Sequence, residues 1–251
     1  MRIVMEIELA GIALQINAPR IEKFRPLLNE YAGEPENILP VQVELSEQDI
    51  KAQIDRSRMA YERKAEKRNV SELEHEFTAL FRKTLNVLIE QKVIYLHGSL
   101  LAVNGKGYLF MAPSGTGKST HARLWKERYG DLVTVINDDK PLIKAEGDGS
   151  IRAYGSPWKG KHGIGCNGVV PLKAIVRLRR GSDNRISALN KDDALKMLYM
   201  HTLHFEEASK MKTMLEVIGA IIENVSFYDL ECNTEIEAAE VAYEELVNSQ
   251  R

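Results

Sequence analysis

The chain is poor in the residues that staple or anchor a protein. Two cysteines, Cys166 and Cys232, stand among 251 residues. That is too few for a disulfide framework or, by themselves, for a zinc site, and a reduced, cytoplasmic setting is expected. No stretch approaches the roughly 20 apolar residues of a membrane span, so no membrane association is expected. At the N-terminus, Met1-Arg2-Ile3-Val4-Met5-Glu6-Ile7-Glu8 places acids where a signal peptide needs an unbroken apolar core. Neither charge is in excess: 34 Lys and Arg face 36 Asp and Glu. Without a basic field, nucleic acid is disfavoured as a partner. Internal repeats and low-complexity tracts are also missing. The 44% hydrophobic content and the length suffice for one large core, or for one core with a small appended domain.

Against this background stands the run Ala112-Pro113-Ser114-Gly115-Thr116-Gly117-Lys118-Ser119-Thr120. It fits the phosphate-binding pattern G-x-x-x-x-G-K-[ST], with Ala112 in place of the first glycine. The pattern works because glycines let backbone N–H groups turn inward around phosphate oxygens. The Lys neutralises phosphate charge and the following hydroxyl holds Mg²⁺. The apolar run 107–111 before it suits a buried strand, and residues 119–129 suit a helix closed by Gly130. A strand, a glycine loop and a helix N-terminus together present an anion site. Ser114, Gly115, Thr116, Gly117, Lys118, Ser119 and Thr120 are the expected nucleotide-binding residues.

Elsewhere the pattern is mixed. Residues 3–17 alternate around Gly11 and predict a hairpin; Pro19, Pro26, Pro35 and Pro40 predict a loop-rich stretch after it. Residues 41–45 predict a strand, and Ser46 with Asp49 a helix cap. The run 56–68 is dense in Arg, Lys and Glu of alternating sign and is expected to be a solvated surface rather than a nucleic-acid or membrane patch. Ser71 and Glu74 form a capping box for a helix to about Gln91. Strands are predicted at 93–97, 100–103, 132–137, 173–179 and 225–232, and helices at 192–204, 212–223 and 235–247. The fold class expected is α/β, divided into an N-terminal α+β region (1–91) and a catalytic domain (92–251).

Several polar groups bear on the loop. Asp138 and Asp139 follow an apolar strand twenty positions after Lys118, a spacing that one helix and one strand fill. Their carboxylates then return to the phosphate end of the sheet, where an acid binds Mg²⁺ or accepts a proton. The alternative is an Asp-rich turn leading to Pro141. His97 ends a strand just upstream and either donates a hydrogen bond to a phosphate oxygen, orients a catalytic acid, or is a structural histidine. His201 and His204, three apart on a helix, have metal-binding spacing but no third ligand nearby. His75, His121 and His162 carry little signal. Asn190-Lys191-Asp192-Asp193 spells the guanine-reading N-K-x-D, yet no D-x-x-G segment follows the loop, and the letters also suit a helix start. Residues 154–165, rich in glycine, with Lys159, Lys161 and an exposed-looking Trp158, predict either a lid over phosphates or a surface connection held by one buried Trp.

The ordered set His97-Gly98, Gly115-Thr116-Gly117-Lys118-Ser119 and Asp138-Asp139 resembles the catalytic domain of HPr kinase/phosphorylase, which shares its core with phosphoenolpyruvate carboxykinases. The resemblance runs from about Tyr95 to Cys232. It implies a P-loop kinase core in which His97, Lys118, Ser119 and Asp138 or Asp139 are catalytic, and it implies a protein serine as acceptor. Two departures matter. HPr kinases carry Glu where this chain has Thr120. Their later loop reads Glu-x-Arg-Gly-Leu-Gly with a metal-binding Glu, where this chain has Gly160 before His162-Gly163-Ile164-Gly165. The carrier-protein substrate and the reverse activity are therefore not implied. The segment Gly155-Ser156-Pro157-Trp158, with residues 171–175 beyond it, looks more like a divergent branch of that family, some of whose members phosphorylate a serine of a precursor peptide.

The expected function is that of an ATP- and Mg²⁺-dependent kinase acting on a hydroxyl, a serine of a peptide or small protein. Lys118 and the backbone of residues 114–119 would hold the donor. Ser119 and one of Asp138 and Asp139, with Asp138 the first choice, would hold the metal, the other acid would receive the proton, and Lys159, Lys161 or an Arg from 177–180 would neutralise the transferring phosphate. A small-metabolite kinase and a nucleotide-binding module without transfer activity stay open as alternatives, as do pyrophosphate as donor and a homo-oligomeric state.

Overall fold

The computed structural model describes residues 4–33, 39–64 and 69–249. The chain forms two compact units, Met1–Leu88 and Ile89–Arg251.

In the first unit, β1 (Met5–Leu9) and β2 (Ile12–Asn17) make the predicted antiparallel hairpin. Helix α1 (Ile21–Leu28) follows, where the prolines predicted only loop. Pro26 lies in its sixth position and so removes a single intrahelical bond, while Ile21, Phe24 and Leu28 share its buried face. Pro35 lies outside the described residues. Strand β3 (Val41–Glu44) pairs parallel to β2, giving the order β1-β2-β3. Ser46 and Asp49 cap α2 (Glu47–Lys64) reciprocally, at 2.9 Å and 3.3 Å. The charged run supplies the end of α2, where Arg56, Arg58 and Glu62 are exposed; its last four residues, 65–68, lie outside the described residues. The Ser71–Glu74 box opens α3 (Glu72–Leu88), which gives way to a 3₁₀ turn at Ile89–Gln91. Glu76, fully buried on α3, accepts the backbone N–H of Arg20 at 2.8 Å and pairs with its guanidinium.

The second unit is mixed α/β. Its strands are β4 (Val93–Tyr95), β5 (Gly98–Val103), β6 (Lys106–Met111), β7 (Val133–Asn137), β8 (Leu142–Ala145), β9 (Ile151–Tyr154), β10 (Val169–Arg180), β11 (Arg185–Ala188) and β12 (Ser226–Cys232). Its helices are α4 (Lys118–Tyr129), α5 (Lys191–Met200), α6 (Ala208–Asn224) and α7 (Glu237–Tyr243). The short strands β8, β9 and β11 are additional to those predicted, and β10 begins four residues before the predicted start. Strand β10 serves two neighbourhoods. Val169–Pro171 pair antiparallel with β9, on the side that continues through β8 to β4. Past a register shift between Leu172 and Ala174, the strand runs parallel to both β6 and β12. On this second side the order is β11-β12-β10-β6-β5-β7.

Strand alternation sorts the core into two layers. Leu109, Met111, Leu172 and Ile175 face a cluster with Met197, Leu198, Val217 and Ile218 of α5 and α6. Tyr108, Phe110, Ala174, Val176 and Leu178 face the other, with Ala122, Trp125, Ala239 and Ala242 of α4 and α7. Asn190 caps α5 by accepting the Asp193 N–H at 2.9 Å. The N-K-x-D letters therefore serve as a helix start.

Candidate active site

Strand direction gathers the polar residues at one sheet edge. β6 ends at Met111 opposite Gly98, where β5 begins, and Asn137 at the end of β7 lies opposite Leu100. His97, the glycine loop after Met111 and the two acids after Asn137 thus emerge together. The loop passes through Gly115 (φ 81°) and Gly117 (φ 125°), values that suit glycine alone, and α4 begins at Lys118. Among loop amides 114–117, that of Thr116 donates to the Pro113 carbonyl at 3.2 Å. The first-turn amides of α4 have no intrahelical acceptor, as at any helix start. Arg180, from the end of β10, binds the opposite polarity of the loop, donating to the carbonyls of Gly115 at 2.5 Å and Thr116 at 3.1 Å.

Lys118 folds back beneath the loop, 8% exposed, and donates to the Ala112 carbonyl at 2.9 Å. Its Nζ also lies 3.0 Å from His97 Nε2, and His97 Nδ1 lies 3.1 Å from Asp139 Oδ1. An ammonium can only donate, so His97 Nε2 accepts and the ring proton sits on Nδ1, aimed at the carboxylate. The result is a continuous carboxylate–imidazole–ammonium line. Burial lowers the pKa of Lys118, and the charges of Asp139 and Asp138 offset only part of that fall. Burial pushes Asp139 upward, but the hydrogen bond from His97 and the Lys140 ammonium outweigh it and leave the carboxyl below its usual value.

The two acids hold different partners. Asp138, 8% exposed, accepts the Ser99 hydroxyl through Oδ1; its Oδ2 has no hydrogen-bond partner among the described residues. Lys140 pairs with Asp139. The turn that presents both acids is built by fully buried Asn137, whose Oδ1 accepts the N–H groups of Asp139 (2.9 Å) and Lys140 (2.7 Å). Its amide donates to the Ser156 carbonyl at 3.1 Å. Sequence reasoning passed over Asn137 and Lys140; the signal was an Asn ending an apolar strand directly before two acids, an Asx-turn pattern.

Other expected residues lie elsewhere. Lys159 donates to the Gly165 carbonyl at 3.0 Å, and Lys161 is exposed. Arg177 and Arg179 are tied to Asp229 at 2.6 Å and 2.8 Å. Trp158, read from sequence as exposed, is buried at 4%, which favours the surface connection held by one buried Trp over the lid. Gly160 lies against Asp139: a Cβ there would stand 2.9 Å from Asp139 Cβ, at a φ of 69°. His201 and His204 diverge. His201 stacks on His97 with centroids 6.3 Å apart and accepts the His97 N–H at its carbonyl (2.9 Å), whereas His204 stacks on Tyr199. Among the described residues no three His, Cys, Asp or Glu gather as a metal cluster. Mg²⁺ is commonly held by one or two carboxylates plus substrate phosphates and water. Asp138 Oδ2 and the Ser119 hydroxyl are hard oxygen donors of the right kind for it.

A family model described as "SynChlorMet cassette protein ScmC" matches residues 62–235. No curated protein matches the chain. Among solved structures, the chain is similar to the Hpr(Ser) kinase/phosphatase from Coxiella burnetii at 9% identity and a TM-score of 0.37, over 62% of this chain and 99% of that one. A likeness of that degree carries no weight for fold or activity.

Proposed function

This chain belongs to the SynChlorMet cassette ScmC family, and we propose that it is a P-loop kinase of the HPr-kinase-like type, transferring a phosphoryl group from ATP to a serine hydroxyl of a peptide or small protein. The observation that carries the reading is the line Asp139–His97–Lys118 ending under a glycine loop. A phosphate arriving on the loop offers Lys118 a stronger partner than the Ala112 carbonyl. The acceptor oxygen bonds to the γ-phosphorus as the bridge from the β-phosphate breaks, and ADP leaves. Asp139, kept ionised by His97 and Lys140, orients the hydroxyl and takes its proton. Ser119 and Asp138 are the residues that would hold Mg²⁺, which when bound neutralises charge on the phosphates. Arg180 keeps the loop carbonyls turned away from the anion, and Lys140, paired with Asp139, is the cation beside the transferring phosphate. The family name speaks of a cassette, and the products of neighbouring genes are the first acceptors to try.

The test is phosphoryl transfer by the full chain, with ATP and Mg²⁺, to the small proteins and peptides encoded beside it, read by mass spectrometry of the acceptor. Asp139→Asn is expected to lower turnover by about a hundredfold or more while ATP still binds. A parent chain that binds ATP yet neither transfers nor hydrolyses it would sink the enzyme reading in favour of a regulatory nucleotide module.

A further inference from the structure

The first unit supplies none of the residues of the reactive line, yet it holds a groove of about 790 Å³. The groove lies at the carboxyl ends of the parallel strands β2 and β3. Its lining includes Asn17 of β2, Arg20 and Glu22 where α1 begins, Gln42 and Glu44 of β3, and Lys83 of α3. Strand β3 is the last in its sheet. Along a strand, the main-chain groups of successive residues point to opposite sides within the sheet plane. The Leu45 N–H donates to the Asn17 carbonyl at 2.9 Å, so Val41 and Val43, of the same parity, also point at β2. The N–H and C=O groups of Gln42 and Glu44 therefore point away from the sheet. None of them has a hydrogen-bond partner among the described residues, and both residues are exposed.

We propose that the β3 edge binds an extended peptide segment as a fourth strand, with Lys or Arg side chains set against Glu44; the proposal does not depend on the kinase reading. Outward donors and acceptors on alternate residues of a last strand are the groups that strand addition uses. The charge of the partner follows from the pairs the groove already contains. Arg20 pairs with Glu72 and with the buried Glu76, Lys83 pairs with Asp49, and Glu22 pairs with Arg25. Both cations of the lining are thus neutralised. Glu44 has no ion-pair partner among the described residues. On an added strand every second side chain shares the face of Gln42 and Glu44, and an opposite charge there is the stabilising neighbour. The segment therefore carries basic residues at alternate positions. A second copy of this chain fits less well. In a two-fold pairing of β3 with itself, outward residues meet outward residues, so Glu44 would face only another Gln42 or Glu44 and gain no cation.

The probe is a fluorescein-labelled peptide of alternating Lys and Thr, titrated with the full chain and read by fluorescence anisotropy. It is expected to bind about tenfold tighter or more than a Glu–Thr peptide of the same length. Glu44→Lys, at an exposed position without a partner, is expected to remove that preference. Main-chain pairing has its own readout. Only alternate N–H groups of an added strand face β3. N-methylation of one alternate set in the Lys–Thr peptide should therefore abolish binding, and methylation of the other set should leave it intact. Equal effects of the two sets would mean that charge alone holds the peptide, and strand addition would be overturned. An unchanged preference in Glu44→Lys, or none in the parent, would overturn the assignment of Glu44 as the basic residue's partner. A parent that sediments as a dimer and takes up no peptide would give the edge to a second copy instead. None of these outcomes bears on ATP binding or phosphoryl transfer, so this proposal and the kinase reading fail separately.

Discussion

Lys118 is held where an ammonium is least comfortable, and that discomfort separates its role in binding from its role in stability. Burial lowers its pKa in spite of two nearby carboxylates. Below its folded pKa the residue is charged in both states, so folding bears the full desolvation cost there; the cost fades as pH rises from the lowered folded pKa toward the unfolded value. Lys118→Met is therefore expected to lose ATP binding while melting at or above the parent's temperature, a pattern typical of residues kept for function. A fall of more than about 5 °C, which is a kilocalorie or two for a chain of this size, would show the lysine to be structural. Gly160 poses the complementary case. Its positive φ and the 2.9 Å approach of a virtual Cβ to Asp139 leave no room for a side chain. Gly160→Ala should push Asp139 off His97 and lower kcat by about tenfold or more, with the KM for ATP little changed. Equal loss in both parameters would place the damage on the loop instead.

At the scale of elements, α4 carries the loop, and Trp125 is its largest buried side chain. Trp125 is fully buried, with ring centroids 5.5 Å from Phe110, 5.9 Å from Tyr129 and 5.5 Å from Tyr243. These contacts pin the helix to β6 on one side and α7 on the other. Trp125→Ala should cost about 3–5 kcal/mol in urea unfolding followed by circular dichroism, and a loss below about 1 kcal/mol would mean that α4 is anchored elsewhere. This helix was legible in the sequence because strand, glycine loop and helix stop follow one another there. The first hairpin and both capping boxes were legible for the same reason: each is a local pattern. Helix α1 was not, since Pro26 signals a break although it removes only one bond so late in a short helix. Strands β8 and β9, four residues each, are too short for alternation to register. The early start of β10 was hidden by Pro171, which pairs with Arg152 where the strand changes partners.

For the molecule as a whole, the distances that matter are set by sheet register, which no local pattern contains. The residue types of the line His97, Lys118 and Asp139 could be named from sequence. Their contact depends on Gly98 lying opposite Met111 and Leu100 opposite Asn137. The same long-range packing buries His121, which from sequence alone carried no signal. Its Nε2 accepts the Trp125 indole N–H at 2.9 Å, which places the ring proton on Nδ1, an atom buried without a hydrogen-bond partner among the described residues. Burial lowers its pKa from 6.5 to about 3. Between those values the unfolded chain binds the proton and the folded one does not, so the histidine's contribution is complete above about pH 6.5 and is lost as pH falls toward 3. By pH 5 the loss from this one group is about 2 kcal/mol. Both tryptophans, Trp125 and Trp158, lie in the second unit, so their fluorescence follows its unfolding. Urea titrations at pH 8 and pH 5 should show a stability gap larger in the parent than in His121→Gln by about that amount, because glutamine can still accept the indole N–H but takes up no proton. An identical gap in the two proteins would mean that His121 is protonated in the folded state and that its burial is not what makes the second unit acid-labile.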